Sequence, residues 1–420
     1  MKRLSSIALV IFGVVAGQLS LAQVKNNYGN TPNELLPFYQ FQKPYKLFFD
    51  EPQPYLGEGR KKEIPKNLDS VKVGFLGPLE GSVEEAYGQE MLNGAQLALE
   101  EANAKGGYHG LPYELIVRSD VGLWGASGNE IVRLYDAGVW GVIGSIDGNN
   151  SHVAIRVALK LEMPMINTGS TDPTLTETKI PWVIRCIADD RQNSYILALH
   201  IFEDEKIKNV AIFRANDRYG RMGVKEFMDA ARRLGYPIQM HLNFTPGAED
   251  VDSQLEKIRN SSATAVLIWG NDKDAARIVN RMRELGMKQK IFGSDRMATD
   301  RFLELTGSNA EGIITSYPYN PESKDPKYLA FVKNYKEKYH SEPGVFATHA
   351  NDGMNILIDA IEKKGLNHAL IRDELTSLGS YHGVTGDIIF DPTWNDVGEV
   401  WLMEVKNGKF IIKSSSKRVE

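Results

Sequence analysis

At 420 residues the chain is too long for one ordinary core and has the length of two to three domains of about 150 residues each. With 42% hydrophobic and 25% charged residues its composition is that of a soluble globular chain, which excludes a disordered, fibrous or polytopic membrane protein. A net charge of −5 without any Lys/Arg block excludes a nucleic-acid partner, and a single cysteine, Cys186, excludes a disulfide framework or a Cys-based zinc site.

Lys2 and Arg3 precede an apolar run from Ile7 to Ala16, then Ser20-Leu21-Ala22 offers small residues before Gln23. Residues 1–22 read as a secretory signal peptide. The apolar run is roughly half of what spans a bilayer. An N-terminal membrane anchor is the alternative. No cysteine near the cleavage site offers a lipid attachment, so a free periplasmic protein is expected.

Residues 23–70 form a different segment. Pro32, Pro37, Pro44, Pro52, Pro54 and Pro65 oppose helix, while Phe38, Tyr39, Phe41, Tyr45, Phe48, Phe49 and Tyr55 are too apolar for a free linker. The segment is expected to lie extended on the body. From Val71 the pattern changes. Val71, Val73 and Phe75 alternate as a strand, Gly77-Pro78 turns the chain, and Leu92, Ala95, Leu99 and Ala102 recur at helical spacing. Strand-like runs follow at 113–118, 139–144 and 164–167, then a second series at 209–213, 238–244, 264–269, 290–293 and 312–315. Strands separated by helical stretches imply parallel sheets covered on both faces, and two series imply two doubly wound lobes. Helices are expected at 327–339, 346–364 and 369–378, a strand at 384–390, and a hairpin of 399–405 with 409–412 around Asn407-Gly408.

In open α/β sheets ligands bind outside the carboxyl ends of the strands. The loops there read GPLEGSVEEAYG (77–88), GSIDGNNS (144–151), NTGSTDP (167–173), RANDRYG (214–220), WGNDKDA (269–275) and FGSDR (292–296). They are rich in hydroxyl, amide and small residues. Trp124 is read as core or as cover for the cleft mouth, Trp269 as closing a sheet edge, and Cys186 as buried and inert.

VKVGFLGPLEG, YGQEMLNGAQLALEEANAKGG, VIGS (142–145), DRYGRMG (217–223) and VTGDIIFD (384–391) occur in order over some 340 residues. In these segments the chain resembles the type I periplasmic binding proteins, specifically the leucine/isoleucine/valine-binding family of ABC-transporter receptors. The resemblance implies two lobes joined by three hinge strands and closing on a ligand. Carried over, lobe 1 is 71–190 plus 317–384, and lobe 2 is 191–316 plus 385–414. It also implies site positions. Gly148, Gly169, Ser170 and Thr171 would hold a ligand carboxylate, with Asp172-Pro173 suited to start a helix. Asp295 would meet an ammonium, and Tyr87 and Tyr219 would wall the ligand from opposite lobes. Asn271 stands where an aromatic is frequent, and Gly148 where a hydroxyl is usual. Asp147 would repel an anion if it faced the cleft. A ligand more polar than a branched-chain amino acid is therefore open: amide-bearing, cationic or alcohol-like.

No G-x-S-x-G, H-E-x-x-H or P-loop motif occurs, and no two of the eight histidines lie three to five residues apart. The expectation is a non-enzymatic receptor without cofactor or metal that delivers a small polar solute to an inner-membrane ABC permease. A second reading is a sensory or accessory subunit docking through residues 23–70. A third is a hydrolase with Asp147 and Asp295 as paired acids.

Overall fold

The computed structural model describes residues 31–32, 36, 40–51, 54–65, 67–121 and 125–416. The expected signal peptide and Trp124 lie outside the described residues.

The segment before the first strand is not simply extended. Helix α1 (Tyr45–Asp50) forms between Pro44 and Pro52, since proline is tolerated at a helix start and ends one only where it falls inside. The segment straps onto the body. The buried Lys179 ammonium donates to the carbonyls of Phe48 (2.7 Å), Phe49 (2.6 Å) and Glu51 (3.3 Å), and burial lowers its pKa to about 8. Tyr55 stacks edge-on against Trp182 at 5.1 Å, Arg60 pairs with Asp373, and Asn367 Nδ2 donates to the Gly59 carbonyl at 3.0 Å. Lys179→Met is expected to strand those carbonyls, lowering stability by about 1–3 kcal/mol and raising hydrogen exchange across 45–51; unchanged exchange there would show that the strap is held by its apolar contacts alone.

The first sheet is built from β1 (Val71–Gly77), α2 (Glu85–Ala104), β2 (Tyr113–Ser119), α3 (Ala126–Asp136), β3 (Val142–Ile143), α4 (Gly148–Leu161), β4 (Met165–Asn167), α5 (Thr174–Glu177) and β5 (Val183–Arg185). Its order is β2-β1-β3-β4-β5, all parallel, with Val71 opposite Tyr113 and Met165 opposite Val183. β3 is shorter than the expected 139–144. Gly144, at φ +124°, ends it where an added Cβ would stand 1.8 Å from the Leu76 carbonyl oxygen.

The second sheet takes α6 (Asp190–Ala198), β6 (Val210–Ala215), α7 (Arg218–Arg233), β7 (Met240–Phe244), α8 (Asp252–Arg259), β8 (Ala265–Trp269), α9 (Asp272–Glu284), β9 (Lys290–Gly293), α10 (Asp300–Thr306) and β10 (Ile314–Tyr317). The chain then forms α11 (Pro326–Tyr339), α12 (Val345–Lys364), α13 (His368–Ser377), a hairpin of β11 (Ser380–Gly383) with β12 (Gly386–Ile389), and the closing pair β13 (Trp401–Lys406) and β14 (Lys409–Ser415). The second sheet runs β14-β13-β10-β9-β8-β6-β7, parallel except that β13 is antiparallel to both of its neighbours. Every residue of β8 is buried, as a strand covered on both faces requires. Trp269 therefore does not close an edge. It sits between β9 and β6, fully buried, against Gly223.

Each sheet has a core on both faces, which makes both lobes doubly wound. Residues of α2 and α12 pack on one face of the first sheet and residues of α3 and α4 on the other. Residues of α8 to α10 cover one face of the second sheet, and residues of α6 and α7 cover the other. Ile388 and Trp394 pack in the first core, so 385–394 stays with the first lobe where the resemblance implied the second. We place the return crossover at 395–400.

Three crossings join the lobes, after β5, after β10 and before β13. The first and third lie side by side. Arg185, completely buried, donates Nε to Asn395 Oδ1 (2.6 Å) and Nη2 to Asp189 Oδ2 (3.2 Å), and Asp396 N–H donates to the Arg185 carbonyl (3.0 Å). Cys186 beside it is buried, its thiol pushed well above the usual range by desolvation.

Candidate functional site

Three helices that start at the seam between the lobes have aspartate N-caps. Asp147 accepts from Asn150 N (2.9 Å) at α4, Asp189 from Gln192 N (3.0 Å) at α6, and Asp217 from Gly220 N (2.7 Å) at α7. Asp147 is thus committed to its own helix, which removes it as one of a pair of catalytic acids. Its charge still reaches the seam, adding to what raises the Glu84 carboxyl after desolvation.

The lobes meet directly. Arg296, on the loop after β9, is buried and reaches across to Glu84 Oε1 (2.9 Å) and the Ile146 carbonyl (3.4 Å), and also donates to Asn271 Oδ1 (3.2 Å). Its guanidinium lies 3.9 Å from the centre of the Tyr219 ring. Asp272 N–H donates to Tyr87 Oη at 3.3 Å, and Tyr87 packs against Phe346 at 4.9 Å. Arg218, next to Tyr219, donates Nε to Asp172 Oδ2 (2.5 Å) and Nη2 to Thr174 Oγ1 (3.0 Å). Burial alone would raise the Asp172 carboxyl, but bonds to His152, Arg218 and Thr174 hold it well below the usual range.

Gly148 explains the missing hydroxyl. A Cβ there would lie 2.9 Å from Asp172 Oδ2 and 3.1 Å from Arg218 Cδ, so the position is kept bare for the ion pair that joins the lobes. Gly148→Ser is expected to prise this pair apart and open the seam. Small-angle scattering of the ligand-free chain should show a larger radius of gyration, and an unchanged radius would show that the pair does not set closure.

Within the seam is a group of buried polar atoms short of protein partners. Both side-chain polar atoms of Asn150 and Arg296 Nε have none, and the Asp190 carboxylate and Thr171 Oγ1 have only each other's weak, poorly aligned contact. Buried polar groups are nearly always hydrogen-bonded, so such a cluster marks a place for a guest. Asp190 N–H is held by the Thr171 carbonyl (2.7 Å), which sets its carboxylate beside that loop. Tyr219 Oη donates to Asp295 Oδ1 at 2.5 Å. Desolvation, then the neighbouring Asp295 charge, pushes Asp190 well above the carboxylate range; burial likewise raises Asp295. Two desolvated carboxylates and a tyrosine hydroxyl form a cradle for a cation.

The structure brings Tyr87, Thr171, Tyr219, Asn271 and Asp295 to this seam. Gly169 packs close to Met91 and Ile146, Ser170 N–H is taken by Asn167 Oδ1 (3.0 Å), and Thr171 Oγ1 has only a weak contact with the Asp190 carboxyl. Asp295 does not pair with Arg296 as its neighbour in sequence; Arg296 is held by Glu84 from the other lobe. Sequence reasoning passed over Asp190, Arg296, Asn150 and Phe346. Asp189-Asp190 at the expected first hinge was the available signal, because a hydrophilic acid pair at a buried crossing calls for partners.

The fold and this seam define a two-lobed solute receptor. The periplasmic binding protein family model matches residues 70–409, and the chain belongs to that family. It is 25% identical over 323 residues to the Leu/Ile/Val-binding protein homolog 2 of Brucella abortus (strain 2308), covering 76% of this chain and 86% of that one. Among solved structures, the branched-chain amino acid transporter substrate binding protein LivJ from Streptococcus pneumoniae in complex with isoleucine superposes with a TM-score of 0.75 at 26% identity, covering 82% of this chain and 98% of that one. The leucine binding protein LivK from Thermotoga maritima does so with a TM-score of 0.76 at 26% identity, with the same coverage of 82% and 98%. These relatives are substrate-binding proteins of transport systems, not enzymes, and no described helix is long and apolar enough to cross a membrane.

Proposed function

We propose that the chain is an exported receptor that closes on a small amino-bearing solute, of the amino-acid type, and delivers it to an ABC permease. The observation that carries this reading is the pair Asp190 and Asp295 with Tyr219, a desolvated acidic cradle to which no cationic side chain is bonded, Arg296 acting on it only through its charge. A ligand ammonium placed there gains charge-assisted bonds worth about 1.5–3 kcal/mol each. Thr171 Oγ1 and the Asn150 side-chain amide, the latter in the first turn of α4, would take a carboxylate or other acceptor. Tyr87, Gly169, Ser170 and Asn271 shape the walls. The LivJ relative is named as a complex with isoleucine, which supports an amino-acid guest, and the N-terminal signal motif at 1–22 supports export.

Calorimetry of the mature chain against amino acids, amino-acid amides, polyamines and short alcohols tests the reading. Binding of an amine-bearing solute that is lost in Asp295→Asn is the expected result; binding only to solutes without an amine would overturn it. The accessory-subunit reading retains one supporting observation. Tyr45 is 75% exposed, and Phe41 and Phe48 beside it on the strap are 44% exposed. Because the strap is stapled to the first lobe, point changes such as Tyr45→Ser test for a partner more cleanly than deletion.

A further inference from the structure

Beside the carboxylate cradle the seam widens into a cavity of about 680 Å³, within the size of small-molecule sites. It reaches the cradle through residues common to both, Asp295, Arg296 and Tyr87, and Phe346 stands at the same junction. Its walls are tyrosines. Tyr317 and Tyr319 lie 5.0 Å apart, Tyr328 stands 6.0 Å from Tyr319, and Tyr335 lines the far side. Tyr317 Oη donates to Tyr319 Oη at 3.4 Å and Tyr328 Oη to the Pro321 carbonyl at 3.0 Å, while Tyr335 Oη accepts from Asn93 Nδ2 at 3.5 Å.

The charges of this chamber are uneven. Its two arginines are already answered, Arg296 by Glu84 at 2.9 Å and Arg301 by Asp272 at 2.7 Å. Its acids are not. Glu90 has no cationic side chain bonded to it and is anchored by the N–H groups of Phe346 (2.9 Å) and Ala347 (3.0 Å); desolvation raises its pKa to about 7. Asp300 and Glu304 stand exposed at the rim. Aromatic faces with uncommitted carboxylates are the surroundings that desolvated cations favour.

We propose that this tyrosine chamber receives a second, positively charged end of the ligand, so that the solute is a basic amino acid or a diamine whose first ammonium lies between Asp190 and Asp295. The inference rests on the cradle reading given above. It accounts for the replacement of an aromatic wall by Asn271, which with Glu84 ties Arg296 back from the passage. A neutral aliphatic side chain would leave Glu90 as it stands, desolvated and bonded to no cation, with only the more distant Arg301 charge to offset it.

Titration of the mature chain with L-lysine, L-ornithine, 1,4-diaminobutane, L-leucine and L-glutamate tests it. The expected order has lysine, ornithine or the diamine binding at least tenfold more tightly than leucine, with glutamate weakest. Glu90→Gln keeps an acceptor for the α12 N–H groups and should lower the lysine-to-leucine affinity ratio at least tenfold. Glu304→Gln, on an exposed side chain, should lower the same ratio by a smaller factor and guards against a folding defect in the first variant. Leucine binding that depends on Asp295 while lysine does not bind would overturn the chamber proposal and leave the cradle standing. Failure of every amine to bind would overturn both.

Discussion

Asp190→Asn is expected to make the ligand-free protein more stable while costing it at least tenfold in affinity, and together with Asp295→Asn a hundredfold or more. Two buried carboxylates, both raised by desolvation and Asp190 further by the Asp295 charge, favour their protonated forms in the fold. For groups whose folded pKa lies above the unfolded one, the stability contribution is complete below the ordinary carboxylate range and is lost as pH rises through the raised folded values. The ligand-free protein should therefore melt at a higher temperature near pH 5 than near pH 8, and Asp190→Asn should flatten that slope. A saturating amine ligand should flatten it as well, because a cation between the carboxylates stabilises their charged forms. Thermal melts at the two pH values, with and without ligand, check all of this at once. A variant that loses stability at pH 8 would show that Asp190 is paired in the ligand-free state.

Arg185→Met should destabilise the fold by about 3–5 kcal/mol, the cost of leaving a buried carboxylate without its counter-charge. Arg185 and Asp189 are both fully buried, and the guanidinium also holds Asn395 and the Asp172 carbonyl. One side chain thus ties the first crossing to the third and to the loop that carries Thr171. Arg185→Lys cannot span these partners, since an ammonium is a point donor rather than a planar fork, and should recover only part of the loss. Denaturant unfolding of the three proteins measures it. A loss below about 1 kcal/mol would mean that water or relaxation replaces the network, and the hinge would then be held by backbone contacts such as Asp396 N–H to the Arg185 carbonyl.

Most of the architecture was legible along the chain because strand and helix periodicities are local. The fully apolar run Ala265–Trp269 reads as a strand buried on both faces, and Asn407-Gly408 marks the closing hairpin of β13 and β14, whatever the rest of the molecule does. The same locality misled at α1, where prolines that flank a helix looked as if they forbade one. It misled at Trp269 too, whose position in the sheet depends on strands that come before and after it in sequence. At the site, the loops at the strand ends were legible as places, and Tyr219 and Asp295 are bonded to one another there.

What the sequence by itself determined is the set of elements, the two parallel sheets and the loops at which a guest could be held, since each follows from near-neighbour spacing. Which charges remain free was decided only by the tertiary structure. Asp147 is spent on its helix, Arg296 on Glu84 and Arg218 on Asp172, while Asp190 and Glu90 are bonded to no cationic side chain. The two ion pairs join residues 46 and 212 positions apart, and the desolvation that gives them their strength exists only once the two lobes have met.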